Sequence, residues 1–495
     1  MADKPQRVVI VGRDAAAWLA AIAVQRALDR RGVSVTVLEL PSHLADSDAY
    51  SAVPSLLAFH QLLGIDTERV IDACQGVPMV AERFANWART APPFVLAYDG
   101  GKSEAGEPEF LHYWLKAHNQ GLRVPLEEFS LAAAAAKQGR IPSSARVRVP
   151  YGYQFGANEY AGLLKHLAIA SGIEHRSGQI RQAKIDGDQL QTVAWDDGEE
   201  YSADLFIDAS GAEGVLIRWM PGAAFESWRK WLPCDHSISA SAPALSPLPA
   251  YSQCSAFRGG WVGVHPLQGR VAVTGAFARN ETLEETLMSL PILAGVKVAG
   301  DVVLRPFEAG LRPTPWIGNC VAIGAAAARL DPIDSLELHF LYICVARVMG
   351  DFPLEGLTGK HAEVYNEEIA AHAASLRDFQ SAHYRLNRRF DEPFWDRARA
   401  AAGPPSLDAR LAAFRDSGKV ALGDGETLSE ASWAAMLVGH GLIPDRHDPA
   451  VNCKSDAEHM ELIQKLLRDI AATVVAMPGV DQFLAERQIS RMARS

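Results

Sequence analysis

Hydrophobic and polar positions near the start of the chain spell out one supersecondary unit. Arg7 leads into Val8-Val9-Ile10-Val11, an apolar run too short for a helix and rich in β-branched residues, which ends at Gly12. Such a run predicts a strand buried on both faces. Alanine-rich positions from Ala15 to Ala27 predict a helix, and Val33-Ser34-Val35-Thr36-Val37-Leu38 predicts a second strand that ends in Glu39. Strand, turn, helix and strand make a βαβ unit. Its acid stands at roughly the interval where a dinucleotide-binding unit places the carboxylate for the ribose hydroxyls.

The same reading extends along the chain. Ala52 to Ile65 has helical periodicity with a stop at Gly64, Val77 to Trp87 alternates as a strand, and Tyr98 to Pro108 reads as a glycine-rich surface loop. A helix from Tyr160 to Ala170 ends at Gly172, and two strands with an Asp197-Gly198 turn lead to the buried strand of Asp204 to Gly211. A comparable strand end recurs at Val321 to Ala328, before Asp331-Pro332-Ile333-Asp334-Ser335 and an apolar helix from Leu336 to Met349. Asp334 or Ser335 is placed to cap that helix. Small residues at three distant strand ends, near Gly12, Gly211 and Gly324, are what a long two-part cofactor needs. Beyond residue 355 the pattern turns helical, through Ala362–Arg389, Ser406–Phe414 and Ser455–Val475.

Composition narrows the function. With 48% hydrophobic residues and a net charge of −11, the chain reads as a globular protein suited neither to nucleic acid nor to anionic membranes. No apolar run approaches the roughly 18 residues a membrane span requires. The polar N-terminus runs straight into the first strand, so no signal peptide is expected. Six scattered cysteines without a C-x-x-C pair suit reduced thiols in the cytoplasm, and 15 histidines form no metal-ligand spacing.

The phosphate turn departs from G-x-G-x-x-G, with Gly12 first, Asp14 second and Ala17 third. The second glycine ordinarily lets the backbone approach a pyrophosphate. A carboxylate there opposes it, since two unit charges about 4 Å apart repel by about 4 kcal/mol at an effective dielectric near 20. Arg13 can neutralise Asp14 or reach a phosphate itself, and a helix N-terminus still favours an anion.

Several motifs together resemble the flavin-dependent tryptophan halogenases nearly end to end. The start Val9-Ile10-Val11-Gly12…Ala16-x-Trp18 is similar to the family's I-V-G-G-G-x-A-G-W, and Arg83-Phe84-x-Asn86-Trp87 to its R-F-E-N-W. Asp204-x-Phe206-Ile207-Asp208-x-Ser210-Gly211 resembles D-x-F-I-D-C-S-G, and Gly318-Asn319-Cys320-Val321-Ala322-Ile323-Gly324 matches G-N-C-V-A-I-G. Asp378-Phe379, His383-Tyr384, Asp391-x-Pro393-Phe394-Trp395 and Trp433 with Gly439, Gly441 and Pro444 resemble the C-terminal signature.

The resemblance implies an α/β, glutathione-reductase-type FAD-binding (Rossmann-like) fold with a mostly helical C-terminal part. Residues 1–355 would form the flavin domain with an inserted substrate-side sheet, and 356–495 a helical region packed on it. It also implies FAD reduced by a separate, transiently bound flavin reductase, and a small aromatic, indole-like substrate; a homodimer stays open. The expected cofactor positions are Gly12, Arg13, Asp14, Ala15, Ala16, Glu39, Ile180, Gly324, Ala325 and Leu338. In the family a lysine delivers halogen from hypohalous acid made at the flavin.

Chemistry-bearing motifs are where this chain departs. The lysine of F-K-L-G aligns with Met79, a residue that also fills apolar cores. W-x-W-x-I-P becomes Trp261-Val262-Gly263-Val264-His265-Pro266, and His265 is either a group acting near flavin or a histidine bonded to backbone. P-L-E-S-T becomes Pro332-Ile333-Asp334-Ser335-Leu336-Glu337, which keeps an acid at Asp334 and puts Leu336 and Glu337 where backbone amides hold halide. Asp334 with Ser335 is a general-base candidate as well as a cap. Three readings stay open: a monooxygenase-like flavoenzyme with altered chemistry, a binding protein that has lost flavin, and a halogenase with a displaced amine at Lys102 or Lys116.

Overall fold

The apolar run at the start of the chain is a strand, Arg7–Gly12, with every residue after Arg7 buried. It lies between two parallel neighbours, Ser34–Glu39 and Leu205–Ala209. The full sheet runs Trp316–Ile317, Cys320–Ala322, Leu205–Ala209, Arg7–Gly12, Ser34–Glu39, Glu174–Ser177. All neighbours are parallel except the Trp316–Ile317 edge. Strands buried on both faces need apolar residues on both, which is why these runs are continuous rather than alternating. The helices Asp14–Leu28 and Ala157–Ala170 pack together beside the sheet. Gly12 is demanded by strand approach: a Cβ there would stand 2.6 Å from both the Cβ and the carbonyl oxygen of Ala209.

This computed structural model describes residues 7–28, 32–98, 109–142, 149–279, 288, 290–353 and 358–492. The chain divides into two compact units that alternate along the sequence. One, the nucleotide unit, takes Met1–Gly76, Phe155–Arg229 and Phe307–Arg377; the other, the sheet unit, takes Val77–Gln154, Lys230–Pro306 and Asp378–Ser495. Consecutive blocks, 1–355 and 356–495, are what the pattern suggested. A sheet recruits strands by pairing rather than by chain order, so the observed division interleaves them, and it falls within the helix Gly359–Arg385 at Arg377.

In the sheet unit seven strands follow the order Ala299–Pro306, His236–Pro243, Arg270–Phe277, Gly260–Pro266, Tyr251–Phe257, Ala81–Ala85, Phe94–Ala97. Ile238, Val262, Val264, Val273 and Phe277 form a core on it. The single strand expected over Val77 to Trp87 is two, Val77–Met79 and Ala81–Ala85. Val80 breaks it because its N–H donates to Ala250 and its carbonyl accepts from Tyr98, away from the ladder. No strand follows Ala328–Arg329 among the described residues, and the helices after it include Pro405–Ser417 and Asp456–Val475. No described helix is long and apolar enough to cross a membrane. The loop expected at Tyr98 to Pro108, and Lys102 with it, lies outside the described residues from position 99 on.

Candidate functional site

The turn after the first strand holds two unusual residues. Arg13 is buried, its N–H donates to the Ala209 carbonyl at 3.3 Å, and its guanidinium meets His43 at 2.6 Å and Glu213 at 3.2 Å. It therefore ties together the segments that follow three adjacent strands. The expected pairing with Asp14 is not what the geometry shows, because Glu213 and His43 hold the guanidinium. Asp14 begins the helix at φ 56, in the left-handed region. That conformation explains why glycine suits the position; aspartate is among the few other residues that adopt it at modest cost. Its carboxylate takes the positive end of the helix dipole for itself.

Glu39 is the register partner of Gly12, so its carboxylate stands at the mouth of the turn. Lys165 Nζ lies 2.7 and 2.9 Å from its oxygens, and the Ser177 hydroxyl donates to it at 2.6 Å. The Gly178 N–H donates to the Glu39 carbonyl at 3.0 Å, which brings the chain beside Glu39 just before Ile180 begins its strand. Ala15 is buried and Ala16 half-buried on the first turn of the helix. Gly324, at φ 55, and the exposed Ala325 lie in a short 3-10 turn after Cys320–Ala322; the Ile323 N–H donates to the Asp208 carbonyl at 3.0 Å. Leu338 is buried in the first turn of the helix Glu337–Gly350. The three small-residue strand ends are thus adjacent in one sheet.

Between Pro332 and that helix the backbone is strained. Asp334 at φ 63 and Ser335 at φ 55 are consecutive non-glycine residues in the left-handed region, each costing of order 1–3 kcal/mol. Neither is the expected cap: the position before the helix is Leu336, and no side chain caps it. A left-handed residue cannot adopt the extended backbone of an N-cap. Leu336 follows at φ −88 and ψ 3, and the Ser335 N–H donates to the Pro332 carbonyl at 3.4 Å. Asp334 is buried, and burial pushes its carboxyl well above the usual range. Glu337 is exposed on the first turn of that helix; desolvation by the protein around it raises its carboxyl, with Arg329 opposing and Asp48 adding to the rise.

Tyr50 and Asp48 lie within electrostatic reach of Glu337 and were not legible in sequence. Burial first, then Asp14, Glu337, Asp48 and Tyr160, push the Tyr50 hydroxyl well above its ordinary range. Asp48 precedes and Tyr50 belongs to the short strand Ala49–Ala52, which follows a polar stretch where no periodicity points to either.

In the sheet unit the altered positions are quiet. Met79 is buried in a strand paired with Gly152–Gln154; Gln154 Nε2 stands 2.8 Å and the Tyr98 hydroxyl 3.9 Å from its sulfur. His265 meets the Thr274 hydroxyl at 2.8 Å, and burial holds its pKa down at about 4. A Cβ at Gly263 would stand 2.7 Å from His265 Nε2 and 2.8 Å from Thr274 Oγ1. The histidine therefore occupies the room beside the missing tryptophan, so the two changes in that motif compensate each other. Trp261 survives with its indole N–H donating to Tyr384 at 3.0 Å. Lys116, one candidate for a displaced amine, is buried and held by the Lys454 carbonyl and Asp456 at 3.2 and 3.3 Å.

The retained motifs serve the scaffold. Asp208 accepts from the N–H groups of Ser210, Leu216 and Ile217, and Asn319 pairs both backbone groups of Leu190. His383 stacks on Phe84 of the strand Ala81–Ala85 at 4.6 Å, and Tyr384 on Trp395 of the next helix at 5.8 Å, so both pack the scaffold.

Would these residues suit a flavin dinucleotide? The close turn at Gly12, the helix N-terminus, Glu39 beside it and the turn at Gly324 fit one. Opposing it are the Asp14 carboxylate and the engagement of Arg13 by Glu213 and His43.

Residues 7–456 match the family described as tryptophan halogenase. The chain is 26% identical to the tryptophan 6-halogenase SttH of Streptomyces toxytricini over 97% of this chain and 98% of that protein. It is 24% identical to the tryptophan 7-halogenase RebH of Lentzea aerocolonigenes over 98% and 99%. Among solved structures it superposes on BrvH, a flavin-dependent halogenase from Brevundimonas sp. BAL3, with a TM-score of 0.91, 28% identity and coverage of 98% and 99%. On Xcc4156, a flavin-dependent halogenase from Xanthomonas campestris, the TM-score is 0.93, with 27% identity and the same coverage. The fold is the α/β flavin-binding fold expected from the sequence.

Proposed function

The chain belongs to the tryptophan halogenase family, and from that premise we propose that it is a FAD-dependent oxidoreductase of a small aromatic, indole-like substrate that does not carry halogen on an amine. The observation behind this is Met79: the position of the family's lysine holds a buried thioether against Gln154 and Tyr98. A thioether can form no haloamine and donates no hydrogen bond.

Gly12, Arg13, Ala15, Ala16, Glu39, Ile180, Gly324, Ala325 and Leu338 would hold the cofactor. When bound and reduced by a separate flavin reductase, it supplies the electrons for monooxygenase-like chemistry. Asp334 is the proton acceptor: a buried carboxyl raised above its usual range is a stronger base than one in water. Ser335 shares its strained turn and positions it. The amides of Leu336 and Glu337 are the anion-facing groups, and the Glu337 carboxyl weakens any halide there.

The test is turnover of indole with FAD, a flavin reductase, oxygen and bromide. An oxygenated product without bromoindole is expected; bromoindole from the unaltered chain overturns the proposal. Asp14 on the phosphate turn, with Arg13 held by Glu213 and His43, favours a second reading, a binding protein that no longer takes flavin. No uptake of oxidised or reduced FAD by the purified protein would establish that reading instead.

A further inference from the structure

Arg13 follows Gly12 directly, on the turn that a nucleotide unit presents to phosphate. Its guanidinium is only partly used. A guanidinium offers five N–H groups in a rigid fork that matches carboxylate and phosphate oxygens two at a time. Here one terminal nitrogen meets His43 at 2.6 Å and the other meets Glu213 at 3.2 Å, through a single carboxylate oxygen. The remaining edge is idle: Nε is buried and has no hydrogen-bond acceptor among the described residues. A buried cation with an idle donor is a demand for a better anion.

The partners of this ion pair are unequally committed. The Arg13 side chain is 9% exposed and that of Glu213 48%. Glu213 stands in a turn at 211–214, closed by the Gly214 N–H donating to the Gly211 carbonyl at 3.0 Å, with both glycines in the left-handed region. Its carboxylate needs only a side-chain rotation to return to water, whereas Arg13 is held inside. A half-exposed pair is weak, since water and salt screen it. A diphosphate brings more charge and more acceptor oxygens than one carboxylate oxygen, and it can take two donors of the fork together.

We propose that Glu213 is a built-in competitor of the cofactor: Arg13 exchanges the Glu213 carboxylate for the diphosphate, and Glu213 thereby sets the affinity of the turn for nucleotides that carry one. The exchange rests on the reading of this unit as the FAD site. Calorimetric titration of FAD and of ADP into the unaltered chain, Glu213→Gln, Arg13→Met and the double variant tests it. Glu213→Gln should bind both ligands about fivefold tighter, the worth of one half-exposed ion pair. Arg13→Met should weaken both, and adding Glu213→Gln to it should bring no further gain. Glu213→Gln alters an exposed position and decides the proposal by itself if Arg13→Met fails to fold. FAD uptake with equal or weaker affinity in Glu213→Gln, or a gain that persists without Arg13, overturns the exchange alone. Uptake of neither FAD nor ADP by any of these chains overturns the reading of the unit as a FAD site, and the exchange with it.

Discussion

Set side by side, the two units have treated their altered positions in opposite ways. In the nucleotide unit the changed positions keep acids and tension: Asp14, Asp334 and Ser335 hold left-handed backbone, burial raises the Asp334 carboxyl, and desolvation raises that of the exposed Glu337. In the sheet unit the changed residues are neutral and satisfied within regular strands, with Met79 packed on Gln154 and His265 filling the room beside Gly263. Strain persists only where surrounding structure over-determines it, and it gathers at functional sites. The contrast agrees with the proposal above, in which the chemistry is kept in the nucleotide unit and the amine-borne step is lost from the sheet unit.

The largest expected effect breaks the nucleotide unit. Gly12→Val drives side-chain atoms into Ala209, where even a Cβ stands at 2.6 Å. It should cost about 3 kcal/mol or more, read as a lower urea midpoint, and it should abolish flavin binding. Next in size is acid. Burial holds His265, His60 and His339 at about 4 and His383 at about 3, against 6.5 in the unfolded chain. Each lowered histidine binds its proton in the unfolded chain first, so stability is full above pH 6.5 and falls as pH drops toward 4. The slope is about 1.4 kcal/mol per pH unit for each histidine. Melts from pH 7 to 4.5 should show it, and His265→Gln should lower the slope by one histidine's share, about 1.4 kcal/mol per pH unit.

A smaller effect sharpens the account of the sheet unit. Gly263→Trp alone should destabilise by about 2 kcal/mol, and His265→Ile in the same chain should recover most of that loss. Absence of this coupling in the double variant would show that the two changes are unrelated. Smallest is Asp334→Asn. Because burial raises the Asp334 carboxyl, the unfolded chain releases this proton first as pH rises, so stability is lost from the ordinary carboxylate range up to the folded pKa and the group is a liability at neutral pH. The amide should raise stability by about 1 kcal/mol while turnover falls.

Much of this was legible in sequence because it is local. A continuous β-branched run, an alanine-rich helix and a glycine stop at Gly64, which takes φ 68, are set by neighbours along the chain. Motif acids and amides such as Asp208 and Asn319 were found by pattern, though their use, bonding backbone, shows only in three dimensions. What escaped depends on distant partners. Nothing beside Arg13 announces Glu213, nothing beside Glu39 announces Lys165, and the break at Val80 comes from Ala250. The expected cap at Asp334 failed for a related reason, since a local motif was read where tertiary structure imposes left-handed backbone.

The central claim is that the first turn still accepts a flavin dinucleotide against one opposing charge. Titration of FAD into the unaltered chain and into Asp14→Gly, followed by flavin fluorescence at low and high salt, tests it most directly. Glycine takes the φ of 56 without strain and removes the carboxylate. Binding to both chains, about tenfold tighter in Asp14→Gly with the gap closing at high salt, is the predicted result. FAD uptake by neither chain, or equal affinity at every salt concentration, would contradict it.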